Sequence, residues 1–558
     1  MLPPRLERGH DVCFIRPSQG CLWLGIGQVK RGNATLAGVL FLVFLSTGFI
    51  GVVHHEMWRD ELEAWVTARE SSSIANLFEN LRYAGHPGLW YLFLYLLTRF
   101  TRNPVAMQLL HLAFAGTAVY LFGRFSPFTK GQKIVFSFGY FPFYEYALIS
   151  RDYVLGVLLL FTFCALFRTR TRSYLLLSTI LFLLANTTVY GTIIAISLGL
   201  TLLFECVVDT GLRRSMSARR WDVFFSLLVF VLGLVSAIFQ LMQPPDSGFH
   251  VTWDAGLRAG WVVATLTAVW KSYIPMPNLF NYQFWNTNLL MDGPMQVPAV
   301  VCAALSLVLL AFSLTLLARK PVALFLYISG TFGILLFSHA FPYIRFWGSL
   351  RHHGHLFVVF IASLWIAGHY GESELTSPRL KGLTGLVSRY GSRCVTALLA
   401  VHLAAGIVAL GFDVLHPFSA SKEAAKFIQT QRMADMLIVG TEDHIVSPLA
   451  ALLDRKIYYL ESDGIGTFIV QDNKRKKVSP YQILGKVNQL ITQRKMDILL
   501  VVSYNLAPLF ATSRGASPDR DLNLSISGLS AHTRTIVPDE QYFLYVVRRK
   551  NDEGLKRE

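Results

Sequence analysis

The chain is short of charge. Only 15% of its 558 residues are Asp, Glu, Lys or Arg, where a soluble globular domain carries roughly 25%. Together with 53% hydrophobic residues, this excludes an ordinary soluble protein and implies an integral membrane protein. Cysteine is sparse too. The six (Cys13, Cys21, Cys164, Cys206, Cys302 and Cys394) are scattered, with no CxxC pair and no metal-ligand spacing, which speaks against a disulfide framework or a zinc site. No small-residue cleavage site follows the first apolar run, so residues 37–53 read as an uncleaved first helix rather than a signal peptide. No repeat or low-complexity tract stands out. The net charge of +16 does not imply nucleic-acid binding, because in a membrane protein the placement of Lys and Arg matters more than their sum.

Apolar runs are what the chain has in excess. They lie near 37–53, 104–123, 134–149, 153–167, 174–189, 191–208, 222–241, 297–318, 321–340, 355–368 and 394–411; a span needs about 17–25 residues, so several are short. Residues 87–98 are apolar but shorter still. If they span, the basic loops at 124–133 and 168–172 fall outside. If they lie in the outer interface as an amphipathic helix, those loops fall inside, along with Lys30-Arg31, Arg213-Arg214, Arg219-Arg220, Arg319-Lys320, Arg379, Lys381, Arg389 and Arg393, as the positive-inside rule asks. The expectation is a polytopic α-helical membrane protein of about eleven transmembrane helices, N-terminus inside and C-terminus outside.

Three segments follow. Residues 1–34 read as a cytoplasmic piece, disordered or an artefact of start-codon choice. Residues 35–411 form the transmembrane domain, with outer loops 54–103, 150–153, 242–296 and 341–355. Residues 412–558 are more polar and alternate helix and strand patterns, which predicts a C-terminal α/β extramembrane domain. Its strands are expected at 436–439, 457–460, 467–470, 498–502 and 542–547.

This topology collects the charged motifs Trp58-Arg59-Asp60-Glu61, Ser150-Arg151-Asp152-Tyr153 and Arg351-His352-His353 on one side. Acids at the mouth of a membrane helix are either solvated loop groups or members of a site. Arg151 beside Asp152 is equally a structural ion pair at a helix start. His352-His353 without further ligand spacing reads first as interfacial packing or hydrogen bonding, with direct chemistry the minority reading. His86 before Pro87 suits the start of the interfacial helix, and contact with substrate is the other reading. Gly440-Thr441 after a strand marks either a ligand loop or a helix cap.

The order of these motifs resembles the GT-C glycosyltransferases, which include protein O-mannosyltransferases, the lipid A aminoarabinose transferase and oligosaccharyltransferase catalytic subunits. An outer loop carries Asp60-Glu61, His86-Pro87 precedes an aromatic-rich helix, and a second outer turn carries Asp152. The resemblance covers residues 35–210 well and the rest loosely. It implies a GT-C-like fold and transfer of a sugar from a polyprenyl-phosphate donor, at the outer face, to a hydroxyl acceptor of open identity: protein, lipid or polysaccharide. It implies Asp60 as the base that takes the hydroxyl proton, with Glu61 and Asp152 positioning the acceptor or shaping the field. Arg351, then Arg151, are the candidates for the charge growing on the leaving phosphate. Trp58 and Tyr153 are candidates to pack a sugar face, and Arg59, His86, His352 and His353 complete the substrate-binding set. Some family members hold a divalent metal between the acidic loops. Three acids do not support one here, and no cofactor is expected. The expected setting is a bacterial inner membrane, with the C-terminal domain periplasmic. The alternatives are a transporter or flippase of lipid-linked glycans, which would place its charges near the bilayer midplane, and a scaffold whose outer domain binds a partner.

Overall fold

The structure, a computed structural model, describes residues 34–550 apart from 249–251, 375–377, 507 and 509–523. The expectation for residues 1–34 falls, but for Ala34, outside them. The first half of the helical domain comprises α1 (Ala34–His54), α2 (Arg59–Glu70), α3 (Ile74–Leu81), α4 (Leu89–Thr98), α5 (Val105–Phe125), α6 (Lys130–Ser137), a π-helix (Tyr140–Leu148), α7 (Tyr153–Leu166), α8 (Leu175–Ala185), α9 (Val189–Val208), α10 (Thr210–Ala218) and α11 (Arg220–Leu241). The second half comprises α12 (Ala259–Tyr273), α13 (Leu289–Asp292), α14 (Ala299–Leu317), α15 (Pro321–Ala340), α16 (Pro342–Trp347), α17 (Leu350–Ala367) and α18 (Pro378–Leu415).

Among the described residues, nine helices are long and apolar enough to cross a membrane. They match nine of the eleven apolar runs. The other two differ for local reasons. Run 134–149 is broken at Gly139, whose extended backbone (φ −70°, ψ 165°) separates α6 from the π-helix. Run 174–189 yields only the 11 residues of α8, which stops at Asn186, where the Asn186 side-chain amide donates to the Phe182 and Gly233 carbonyls. Two boundaries also move. Helix α17 begins at Leu350 rather than 355, and α18 reaches back to Pro378. Helix α12, in the segment expected to be an outer loop, packs on α14 and α17 and buries Ala268, Val269 and Tyr273. The short, apolar α4 is held between α2 and α5.

The C-terminal domain contains α19 (Ser421–Thr430), β1 (Leu437–Gly440), α20 (Asp443–Leu452), β2 (Ile457–Tyr459), β3 (Gly464–Gly466), α21 (Pro480–Arg494), β4 (Ile498–Val502), β5 (Leu524–His532) and β6 (Tyr542–Arg549). Its six-stranded sheet has the order β3-β2-β1-β4-β6-β5, with β1 parallel to β2 and β4 and the remaining pairs antiparallel. Strand β4 (Ile-Leu-Leu-Val-Val) is apolar throughout because both sheet faces are covered. Leu499 and Val501 meet α19 and α20, while Ile498, Leu500 and Val502 meet α21. Four expected strands correspond to β1, β2, β4 and β6. Residues 467–470 are not a strand; the hairpin partner of β2 is Gly464–Gly466. The run Leu524–His532 is a strand the sequence did not announce.

Candidate functional site

Helix α2 starts where the sequence places its acids. Glu61, in the first turn, reaches back to accept the N–H of Trp58 at 3.1 Å, satisfying a backbone donor that the helix leaves open. Asp60 and Glu61 both lie at the positive end of the helix dipole. Adjacent residues on a helix point in different directions, and the two acids have different surroundings.

Asp60 faces two arginines. Its Oδ2 lies 3.3 Å from Arg151 Nη1 and 3.2 Å from Arg351 Nη2, and Arg151 Nη1 also donates to the Asp60 carbonyl at 2.8 Å. The three groups come from α2, the turn before α7 and the first turn of α17. Burial pushes the Asp60 carboxyl up, but Arg151, Arg351, Arg59 and His86 outweigh it and hold the group below the usual carboxylate range. Arg351 Nε and Nη1 and Arg151 Nε are buried without a hydrogen-bond partner among the described residues. The Arg351 guanidinium also lies over the rings of Trp58, at 5.0 Å, and Trp285, at 5.3 Å.

Asp152 joins this cluster. Its carboxylate is 5% exposed and, among the described residues, neither oxygen receives a hydrogen bond. His86 Nδ1 stands 3.6 Å from Asp152 Oδ2 and Arg151 Nε 4.0 Å from Oδ1. Burial lowers the His86 pKa and Asp152 partly offsets that. His86 does not start α4, whose cap is Gly88; it borders the cluster instead. The sequence-derived set thus converges on Asp60, Arg151, Asp152, Arg351 and His86.

The remaining candidates have other partners, though Trp58 also lies under the Arg351 guanidinium. Glu61 is fully buried and turned away from Asp60, into contacts with Ser150 and His55. Arg59 is drawn to the C-terminal domain, 2.7 Å from Asp539 Oδ2 and 3.6 Å from Glu540 Oε1. Trp58 is buried edge-on against Trp285, centroids 4.8 Å apart, so its ring is covered by protein. Tyr153 is buried against His355 and Tyr146. His352 Nδ1 accepts the Ser349 N–H at 3.1 Å, and its ring stacks on Tyr190. His353 is buried on the adjacent side of α17. Among the described residues, no group of three or more His, Cys, Asp or Glu side chains is arranged to hold a metal ion.

Sequence reasoning passed over three groups. Trp285, in the outer loop 242–296, caps Arg351. Glu145, buried on the π-helix, accepts from Tyr140 Oη at 3.0 Å and Trp285 Nε1 at 3.2 Å. An acid inside an apolar run is by itself a signal. His55, at the end of α1, sits between two carboxylates; the pair His54-His55 was its only mark in the sequence.

No protein-family model and no curated protein sequence matches the chain. Among solved structures it is similar to ArnT from Cupriavidus metallidurans bound to undecaprenyl phosphate, at 13% identity and a TM-score of 0.49, over 92% of this chain and 98% of that one. It is similar to the same protein in the apo state at 14% identity, with the same coverage and TM-score.

Proposed function

We propose that the chain is a membrane glycosyltransferase that moves a sugar from a polyprenyl-phosphate donor to a hydroxyl acceptor at the outer face of the membrane, with Asp60 as base. The observation that carries this reading is the arginine pair on Asp60. Three guanidinium nitrogens beside a carboxylate are buried with no acceptor among the described residues, and an unmatched buried donor is costly, more so when charged. An anion with several oxygens would satisfy them. A phosphate ester suits the planar, fork-like donors of arginine. The order of Asp60, His86 and Arg151-Asp152 along the chain, which resembles GT-C enzymes, agrees with it.

The chemistry is a substitution at the anomeric carbon. The acceptor oxygen forms a bond to that carbon while the bond from carbon to the phosphate oxygen breaks. Its electron pair stays on the departing polyprenyl phosphate, whose added charge Arg351 and Arg151 meet. The acceptor proton passes to Asp60. A carboxylate held below its usual range is a weak base, so the order of events matters. Donor phosphate draws the arginine charge toward itself and away from Asp60, which raises the basicity of Asp60 once donor is bound. The hydroxyl becomes acidic as its bond to carbon forms, and transfer then matches the two pKa values. Asp152, buried and without hydrogen bonds, orients the acceptor or the arginine beside it.

The test uses purified protein in proteoliposomes, radiolabelled polyprenyl-phosphate hexose or pentose, and membrane extract as acceptor. Wild type transfers label, and Asp60→Asn, nearly equal in volume, falls by about 100-fold or more, the scale of general-base catalysis. Wild-type transfer by Asp60→Asn removes Asp60 as base; lipid flipping without transfer by either form replaces the enzyme with a transporter. The outer placement is read in intact cells with an impermeant maleimide. A cysteine replacing exposed Lys474 labels and one replacing exposed Lys130 does not; the reverse pattern inverts the topology.

A further inference from the structure

Beneath the arginine pair lies a chain of buried charges that the transfer reaction does not use. His55 Nδ1 is 2.8 Å from Asp413 Oδ2, near the end of α18, and His55 Nε2 is 3.1 Å from Glu61 Oε2. The side chains of His55 and Glu61 are completely inaccessible and that of Asp413 is 2% exposed. Glu61 has further partners: the N–H of Trp58 at 3.1 Å and the N–H of Ser150 at 2.6 Å. Ser150 directly precedes Arg151, and Glu61 directly follows Asp60. One carboxylate therefore ties together the two loops whose side chains meet at the site.

A carboxylate can accept all three donors only while ionised, and an isolated ion with no exposure is strongly disfavoured. His55 supplies the compensating charge. Burial lowers its pKa, yet Asp413 and Glu61 together raise it to about 10. The second carboxylate is what keeps His55 charged, and the charged His55 holds Glu61 Oε2 at 3.1 Å, where Glu61 also meets the Trp58 and Ser150 amides.

We infer that His55, held by Asp413, is a positioning residue that fixes Asp60 against Arg151 by keeping Glu61 bound to both the Trp58 and Ser150 amides. This rests on the glycosyltransfer reading for its effect on rate, but its effect on the two loops does not. Neither His55 nor Asp413 touches substrate; both act through Glu61.

Two measurements on the full-length protein in detergent test it. In hydrogen exchange, His55→Gln loses protection in peptides covering 56–64 and 148–154 together, because both amides lose the same acceptor. In kinetics, His55→Gln lowers kcat by about 100-fold, the scale of an ångström-sized misplacement, with donor KM within about twofold. The double variant His55→Gln/Glu61→Gln is no slower than Glu61→Gln alone, since coupled residues are non-additive. Wild-type protection in both peptides overturns the inference, and so does a double variant in which the two losses multiply, the mark of general packing. If wild type transfers no sugar but His55→Gln loosens both peptides, the glycosyltransfer reading fails and the positioning role stands. Should His55→Gln not give monodisperse protein, Asp413→Asn, nearly equal in volume, takes the same measurements with the same expectations.

Discussion

Arg351 uses one of its three guanidinium nitrogens on Asp60 and leaves two without a hydrogen-bond partner among the described residues. Lysine at that position keeps the charge but not the planar fork. Loss of one charge-assisted hydrogen bond, about 1.5–3 kcal/mol, predicts that Arg351→Lys lowers kcat/KM for the donor by about 10- to 150-fold. Steady-state kinetics with varied donor lipid will show this, and unchanged kcat/KM would detach Arg351 from the phosphate. The residues that converge were legible because charge is scarce in this chain, so each acid or arginine outside a span stood out. Their neighbours were not legible in the same way. Arg59 and Glu61 flank Asp60 in sequence, but one helical position turns a side chain by about 100°. That rotation sends Arg59 to the C-terminal domain and Glu61 into the wall beneath the site. A motif read as four consecutive residues is thus divided among three environments.

Hydropathy located elements well and their shapes poorly. A run such as 134–149 has the same composition whether it is one straight helix or, as here, α6 and a π-helix joined at Gly139. Pro142, with no N–H to give a ladder, was the available signal of an irregular element, and π-helical turns are frequent at functional sites. Here the irregular segment carries Glu145 toward Trp285. The break is packed against α18 at Gly406, where a Cβ would lie 2.8 Å from the Phe138 carbonyl oxygen and 3.2 Å from Gly139 C. Those are backbone atoms and cannot swing aside. Gly406→Ala therefore costs about 1–3 kcal/mol of stability, the scale of overpacking, whereas Gly411→Ala, on the same helix with nothing within 4 Å of its Cβ, is neutral or slightly stabilising. Thermal melts of the two variants in detergent measure the difference, and equal melting temperatures would mean that α18 and the break do not touch. Strand β5 escaped notice for a related reason. Its alternation pairs it with β6, but Ser525, Ser527, Gly528 and Ser530 give it too few apolar residues to register.

At the scale of the whole molecule, the composition change near residue 412 announced a second domain but not where it rests. It rests on α2. Arg59 pairs with Asp539, the Arg59 N–H is accepted by Glu540 Oε1 at 3.1 Å, the Glu63 carboxylate accepts the Ile469 N–H at 2.8 Å, and Arg69 lies 3.2 Å from Asp454. Arg59 and Asp539 are 480 positions apart, so no local pattern could have paired them. The helix that carries Asp60 is thereby clamped from outside the helical bundle, and the clamp contains titratable groups. Burial lifts Glu540 and Glu63 each to about 7, against the opposing pull of Arg59 on Glu540 and of the Ile469 amide on Glu63. Their unfolded value is about 4.3. Between those limits the docked state holds more protons than the unfolded chain, so stability falls as pH rises, by about 1.4 kcal/mol per unit for each group. Below about 4.3 the full stabilisation is present, and above 7 no more is lost to these two. Glu63→Gln/Glu540→Gln removes both titrations. Its melting temperature relative to wild type is then expected to climb from pH 5 to pH 7 and to hold constant above, which cancels the contribution of every other titrating group common to both proteins. A difference independent of pH would show that the two carboxyls are already ionised in the clamp, and that Arg59 rather than burial governs how the outer domain holds α2.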